Sequence, residues 1–358
     1  MKLFKILLVA PASLGLLAPM AVTANEVTIN DFNAAEEIAV TNSRVDGLEA
    51  RLNNFEAGSF SETTTASFSV DTVLGAIDGA SSETTSLDFQ FNIGLSTSFT
   101  GEDSLDIAID NGSGSPSTMS SDIMGFDSGT SLVVDGVTYS FPVGGASMIV
   151  GDSTDLSTAF TGACTYSAFT DLTPDDCGTG NSMGASGKGV TAAMSYAFDS
   201  GFSLAGGITS GNTEILGDAA DAFGLNAAYS ADSYGVAVAY VSDDGGTSTD
   251  TTYWGLNGYY TFDLASFSAG FETSDDGTTE KSGYFVGLSF PEVGPGSANI
   301  AAATTGLFAD SETETLVYEA SYSYALNDGM TITPGIFIKE VDGADDETGV
   351  AVKTSFSF

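Results

Sequence analysis

The last ten residues, Gly349-Val-Ala-Val-Lys-Thr-Ser-Phe-Ser-Phe358, alternate strictly in character, which commits them to an extended strand with two unlike faces. Successive strand side chains point to opposite sides, so Val350, Val352, Thr354, Phe356 and Phe358 share one face. Ala351, Lys353, Ser355 and Ser357 share the other. One face suits lipid and the other suits water. The alternative is a strand of a soluble sandwich, which would separate its faces in the same way.

The opposite end narrows the choice. Lys2 and Lys5 precede an apolar run from Ile6 to Leu17, and Ala21-Val-Thr-Ala24 forms a cleavage signature before Asn25. Residues 1–24 therefore read as a signal peptide, and the protein as exported. Pro11 and Pro19 interrupt this run, and nothing later approaches the roughly 18 continuous apolar residues of a spanning helix. A membrane location would have to be reached by strands.

The chain is 42% hydrophobic and has 43 Gly but only 8 Pro in 358 residues, enough apolar material to fold. Loss of Lys2 and Lys5 with the leader leaves six basic residues against 48 acidic ones, a net charge of −42. Such a chain excludes nucleic acid as a partner. The excess fits either an acidic surface in a saline habitat or a lumen that concentrates cations.

Residues 25–57 carry no strand pattern and read as a linker and helix. Ile38, Thr41, Val45, Leu48, Leu52 and Phe55 recur at alternating steps of three and four, the apolar seam of a coiled coil. Three heptads barely hold alone in water, so the helix needs partner copies or docks as an amphipathic segment. Arg44 and Arg51, the only arginines, lie off this seam.

From residue 58 onward the sequence is a series of alternating runs separated by turns. The clearest places Leu87, Phe89, Phe91, Ile93 and Leu95 opposite Asp88, Gln90, Asn92 and Ser96, over a length that crosses a bilayer as a tilted strand. About sixteen such runs are expected, with tight turns such as Asp199-Ser-Gly201 alternating with longer polar loops such as 243–251. The fold class is therefore all-β: a transmembrane, antiparallel, up-and-down barrel over 58–358, wide enough for an aqueous channel. Asp71, Asp88, Gln90, Asp106, Asp110, Glu272, Glu319, Lys339 and Lys353 fall on the polar phase of their runs, and together with Lys188 they are the pore-lining candidates. Tyr196, Phe198, Tyr229, Tyr240, Trp254, Tyr260, Phe262, Tyr322 and Tyr324 sit near run ends, as interfacial girdles do.

Cys164 and Cys177 are the only cysteines and lie in the longest stretch without strand pattern, roughly 152–189. In an exported chain a disulfide stapling this loop is the expectation. The chain has no histidine, which removes the usual general base, the usual zinc ligand and the Ser-His-Asp triad together. Gly184-Ala-Ser-Gly-Lys-Gly189 lacks the context of a phosphate loop, and 243–250 is not an EF-hand. No cofactor and no metal site are expected, and no enzymatic activity.

The leader Met1-Lys-Leu-Phe-Lys-Ile-Leu-Leu, the segment Val45-Asp-Gly-Leu-Glu-Ala-Arg-Leu52, the following Phe55-Glu-Ala-Gly-Ser-Phe-Ser-Glu-Thr-Thr64, the stretch Thr97–Leu105 and the Cys164/Cys177 loop resemble the major outer-membrane porins of marine cyanobacteria, related to the carbohydrate-porin (OprB-like) family. The resemblance covers most of the chain and implies a homotrimer with an N-terminal coiled-coil stalk. It also implies recognition of the terminal strand, with Phe356 and Phe358, by the barrel-assembly machinery. The Cys164–Cys177 loop would fold into the lumen and set its width, as the third long loop does in general porins. Relatives usually carry an S-layer homology domain before the stalk, and the ten residues Asn25–Ala34 leave no room for one between leader and heptads. The expected function is passive passage of small hydrophilic solutes and ions through the outer membrane, with cations preferred and carbohydrates implied only by the resemblance. The rival is a structural or adhesive barrel with a closed lumen.

Overall fold

The computed structural model describes residues 64–358 apart from 81–82, 84, 115–116, 128, 185–186, 212–215, 217–219 and 247–248. The signal peptide and the coiled-coil seam expected at Ile38, Val45, Leu48, Leu52 and Phe55 lie outside the described residues.

The strands are β1 (Thr64–Asp78), β2 (Thr85–Thr97), β3 (Ser104–Gly112), β4 (Val133–Val143), β5 (Ala146–Thr154) and β6 (Gly189–Ala197). They continue with β7 (Phe202–Ser210), β8 (Asp221–Ser230), β9 (Tyr234–Asp243), β10 (Thr251–Thr261), β11 (Ser266–Asp275) and β12 (Glu280–Val293). The last are β13 (Gly296–Thr304), the two-residue β14 (Phe308–Ala309), β15 (Leu316–Asn327), β16 (Met330–Lys339) and β17 (Glu347–Ser357). Each long strand pairs antiparallel with the next, β14 adds only to β12, and β13 pairs directly with β15. β17 pairs back onto β1 from Ser69↔Ser357 to Asp78↔Thr348, which closes a sixteen-stranded up-and-down barrel. Closure gives every long strand a neighbour on each side, so the sheet has no free edge strand, the condition for strands in hydrocarbon. The weakly patterned stretch 132–150 resolves into β4 and β5, joined through Gly144-Gly145. Gly144 turns there with φ +65°, a conformation open to glycine without strain.

Cross-strand partners point to the same side, so the register sorts every position into two faces. Val73 pairs with both Asp88 and Lys353, and Asp71 with Gln90 and Ser355, which places these groups inside. Leu74, Leu87, Phe89, Leu204, Leu225, Leu256, Ile336 and Val350 point outward and are exposed. An apolar exterior and a polar interior is the arrangement the alternation implies. Outward rings gather at strand ends: Tyr240 and Trp254 pack as a tilted pair with centroids 4.6 Å apart at one rim, and Phe202 with Tyr229 at 4.6 Å and Tyr260 with Phe262 at 4.8 Å at the other.

Turns are short on one rim and long on the other. The 98–103 turn on the short side is organised by Asp103, whose Oδ1 accepts from Ser98 Oγ, the Phe99 and Thr100 amides and Thr100 Oγ1 at 2.8–2.9 Å. Its Oδ2 accepts from Tyr139 Oη at 2.7 Å. The Thr100 amide first, and Tyr139 and Ser98 after it, hold this carboxyl far below the usual carboxylate range. Phe358 ends the chain on the same rim, exchanging backbone hydrogen bonds with Phe68 at 2.9 and 3.0 Å and stacking on its ring.

Candidate functional site

Two long-rim segments fold into the barrel. The first, 113–132, carries a helical turn at Met119–Ile123, whose Met119 and Ile123 pack with Phe126 against the inner face at Val73, Ile77, Phe337 and Ala351. The second, 155–188, is a hairpin lying along the inner wall from β6 to β16. Leu156 and Phe160 bury against Ile149, Ala193, Ala222 and Val241, and Phe169 reaches across to Phe337. The two segments meet where the Asp171 amide donates to the Ile123 carbonyl oxygen at 2.7 Å.

The hairpin's limbs are joined by the disulfide Cys164–Cys177, as expected from the sequence. Closing a loop of this size is worth about 3 kcal/mol in the chain-entropy model. Inner-wall polar side chains fasten both limbs. Asn226 Oδ1 accepts from the Thr161 amide at 2.8 Å, and Ser268 Oγ from the Thr165 amide at 3.1 Å. Asn257, 2% exposed, ties the limbs together: its Oδ1 accepts from the Ala163 amide at 2.8 Å, while Nδ2 donates to the Asp176 carbonyl oxygen at 2.9 Å and to Thr179 Oγ1 at 2.8 Å. Glu319 accepts from the Phe169 and Thr170 amides, and Glu272 from the Ser182 amide and Asn181 Nδ2. Each bond to a charged acceptor contributes about 1.5–3 kcal/mol net.

The wall is hollowed to receive the hairpin. Gly270 and Gly255 lie on the inner phase, and a methyl group at either would overlap the Cys177 carbonyl oxygen or the Ser182 hydroxyl. A methyl at Gly335 would meet the Phe169 ring, and one at Gly75 the Met119 side chain. Asp176 and Cys177 adopt φ of 51° and 56°, a strained left-handed turn held by Asn257 and by the disulfide.

Asp71, Asp88, Gln90, Asp106, Asp110, Glu272, Glu319, Lys339 and Lys353 all sit on the inner face. They do not share one environment. Asp106 is exposed to the lumen, while Glu272 (1% exposed) and Glu319 (4%) lie beneath the hairpin. Asp88 and Asp110 are buried under the 113–132 segment, where Asp88 accepts from Ser117 Oγ at 2.6 Å. Asp71 accepts from Ser355 Oγ. Lys188, beyond the strands, pairs with Asp135 at 2.7 Å, and Lys339 with Glu347 at 3.3 Å near the long rim.

The lumen side of the hairpin borders a cavity of about 360 Å³ lined by Asp155, Asp171, Thr173, Pro174, Asp175, Gly180, Asn181, Gly184 and Gly187. These three carboxylates face no lysine or arginine among the lining residues. Burial, and then the neighbouring Asp175, raises the pKa of Asp171 above the ordinary carboxylate value. Asp155, Asp171 and Asp175 were not singled out from sequence, because a loop without periodicity says nothing of which side chains face the passage. Among the described residues no three acidic, cysteine or histidine side chains come together in a metal-binding cluster.

The fold has solved counterparts. A structure of Pseudomonas putida OprB at high pH matches with a TM-score of 0.67 at 12% identity, covering 83% of this chain and 94% of that one. Two engineered variants of the Rh. blastica porin match with TM-scores of 0.56 and 0.55, at 14 and 15% identity, each over 82% of this chain and 100% of theirs. Comparison with curated sequences gives no match. The sequence model described as Gram-negative porin matches residues 44–343, a span that takes in most of the barrel, and the chain belongs to the Gram-negative porin family.

Proposed function

We propose that this outer-membrane porin is a passive, cation-preferring channel for small hydrophilic solutes and ions, working without cofactor or chemistry. The observation that carries the preference is the sign of the charges at the hairpin. Its cavity presents Asp155, Asp171 and Asp175, and the exposed Asp106 adds to them on the wall. Three of the four described lysines are already engaged in ion pairs, Lys188–Asp135, Lys281–Glu312 and Lys339–Glu347. Only Lys353, half-buried on the inner face, makes no ion pair among the described residues. A low-dielectric passage lined by one sign of charge concentrates counter-ions and repels co-ions, an effect that salt screens. Sugars belong to the proposal by family resemblance alone: the inner-phase Phe285 and Phe337 are 2% and 1% exposed, packed against loop residues and turned away from any solute.

Export through a signal peptide at 1–24, assembly guided by Phe356 and Phe358, and a homotrimer joined through the heptads of 38–55 complete the reading. Single-channel recording of the refolded protein in planar bilayers under a salt gradient tests it. Stable steps with a cation-directed reversal potential support it. A folded, detergent-stable barrel without conductance would favour the structural, closed-lumen alternative.

A further inference from the structure

We infer that Glu319 is the positioning residue that sets the channel's width, by holding the point at which the two inward segments meet. This rests on the channel reading above. Glu319 stands on the inner face of β15, 4% exposed, between Ala301 on β13 and Phe337 on β16, neither of which offers a charge or a hydrogen bond. It makes no ion pair with any described lysine. Its compensation comes from the hairpin: Oε1 accepts from Tyr166 Oη at 2.8 Å and the Phe169 amide at 2.9 Å. Oε2 accepts from the Thr170 amide at 3.0 Å and Thr170 Oγ1 at 2.7 Å.

Four donors converge on two oxygens, and every one belongs to the hairpin. Burial first, and then Glu319 itself, push the Tyr166 phenol far up, so it remains a donor. A buried carboxylate with no counter-charge loses its whole compensation if the donors leave, which makes the contact close to all-or-none. The position matters because Asp171 follows Thr170 directly. Its amide carries the contact to Ile123, and its side chain lines the acidic cavity. Glu319 thereby fixes where the carboxylate of Asp171 stands in the passage. Glu272 anchors the returning limb through Asn181 and Ser182, farther from that junction.

The test compares Glu319→Gln with Glu319→Asp in the full chain, reading unitary conductance and hydrogen exchange at the Phe169 and Thr170 amides. Glutamine turns an NH2 group toward donors that need an acceptor. It should speed exchange at those amides by about tenfold or more and change unitary conductance, with added open-channel noise. Aspartate keeps the acceptors on a shorter stem and should restore part of both. If Glu319→Gln fails to give a heat-modifiable barrel, Thr170→Val removes one donor from the hairpin side and should move both readouts the same way. Unchanged exchange and unchanged conductance in the folded variants would overturn the assignment. A wild-type protein that does not conduct would sink the channel reading instead, while the exchange data would still decide the role of Glu319.

Discussion

Replacing Gly270 by alanine probes the seat of the hairpin with one methyl group. The new carbon would overlap the Cys177 carbonyl oxygen and approach the Asn257 side chain. The carbonyl cannot easily yield, because the disulfide and Asn257 hold the turn on both sides. Overpacking of this kind costs about 1–3 kcal/mol. Alanine recovers about 0.5–1 kcal/mol of that by restricting the unfolded backbone at a strand position. The net expectation is therefore a loss of up to about 2.5 kcal/mol, together with a hairpin lifted from the wall. Gly306→Ala is the control, since a methyl there meets nothing within 4 Å and the backbone is not left-handed. The single tryptophan, Trp254, sits on the outer face beside Tyr240, so its fluorescence during denaturant unfolding in detergent reports the barrel. Gly270→Ala should unfold at lower denaturant than Gly306→Ala and show altered unitary conductance. Coincident transitions and equal conductance would refute the idea that close approach at Gly270 seats the loop.

Asp171→Asn with Asp175→Asn should shift the reversal potential toward zero under a salt gradient, because the cavity loses two of its three carboxylates. The raised pKa of Asp171 gives this preference a pH dependence: as pH falls, it should weaken before the ordinary carboxylate value near 3.9 is reached, read from reversal potentials at stepped pH. Asp103 behaves oppositely. Its depressed pKa contributes stability that is present above the unfolded carboxylate value and is lost on acidification through the folded one, so wild type and Asp103→Asn should differ at neutral pH and converge in strong acid in unfolding experiments. Cys164→Ser with Cys177→Ser should leave the barrel closed but increase open-channel noise, since the strained turn at Asp176 and Cys177 loses a tether.

The barrel was legible because the strand period is two and lipid enforces it: the run from Leu87 to Phe99 and the terminal run to Phe358 assign their own faces. Sixteen long strands follow from repetition of that pattern, and the loop between β5 and β6 from the absence of it around Cys164 and Cys177. What lies over an inner-phase residue was not legible. Alternation places Glu272 and Glu319 inside the barrel, but a carboxylate beneath a loop and one open to the lumen have the same phase. The glycines of the seat, Gly255, Gly270 and Gly335, are the signal that was passed over, since they occupy inner positions where a channel wall would otherwise carry polar side chains. The 113–132 segment gave less warning, because Met119, Ile123 and Phe126 form too short an apolar cluster to point at a partner.

The hairpin's polar fastenings come from strands as far apart in the chain as β8 and β15, and no two or three of those strands form its seat alone. The wall must curve before Gly255, Gly270 and Gly335 can face a common interior. Bending requires β17 to find β1 across almost the whole length of the described chain, a slow, non-local step. Until then the sheet carries two bare edges able to pair with other chains. The seat of the hairpin is thus complete only in the closed barrel, and an open sheet would hold the same segment as a loose polar strap. In a barrel built this way the inward hairpin gains its full seat only when the last strand meets the first.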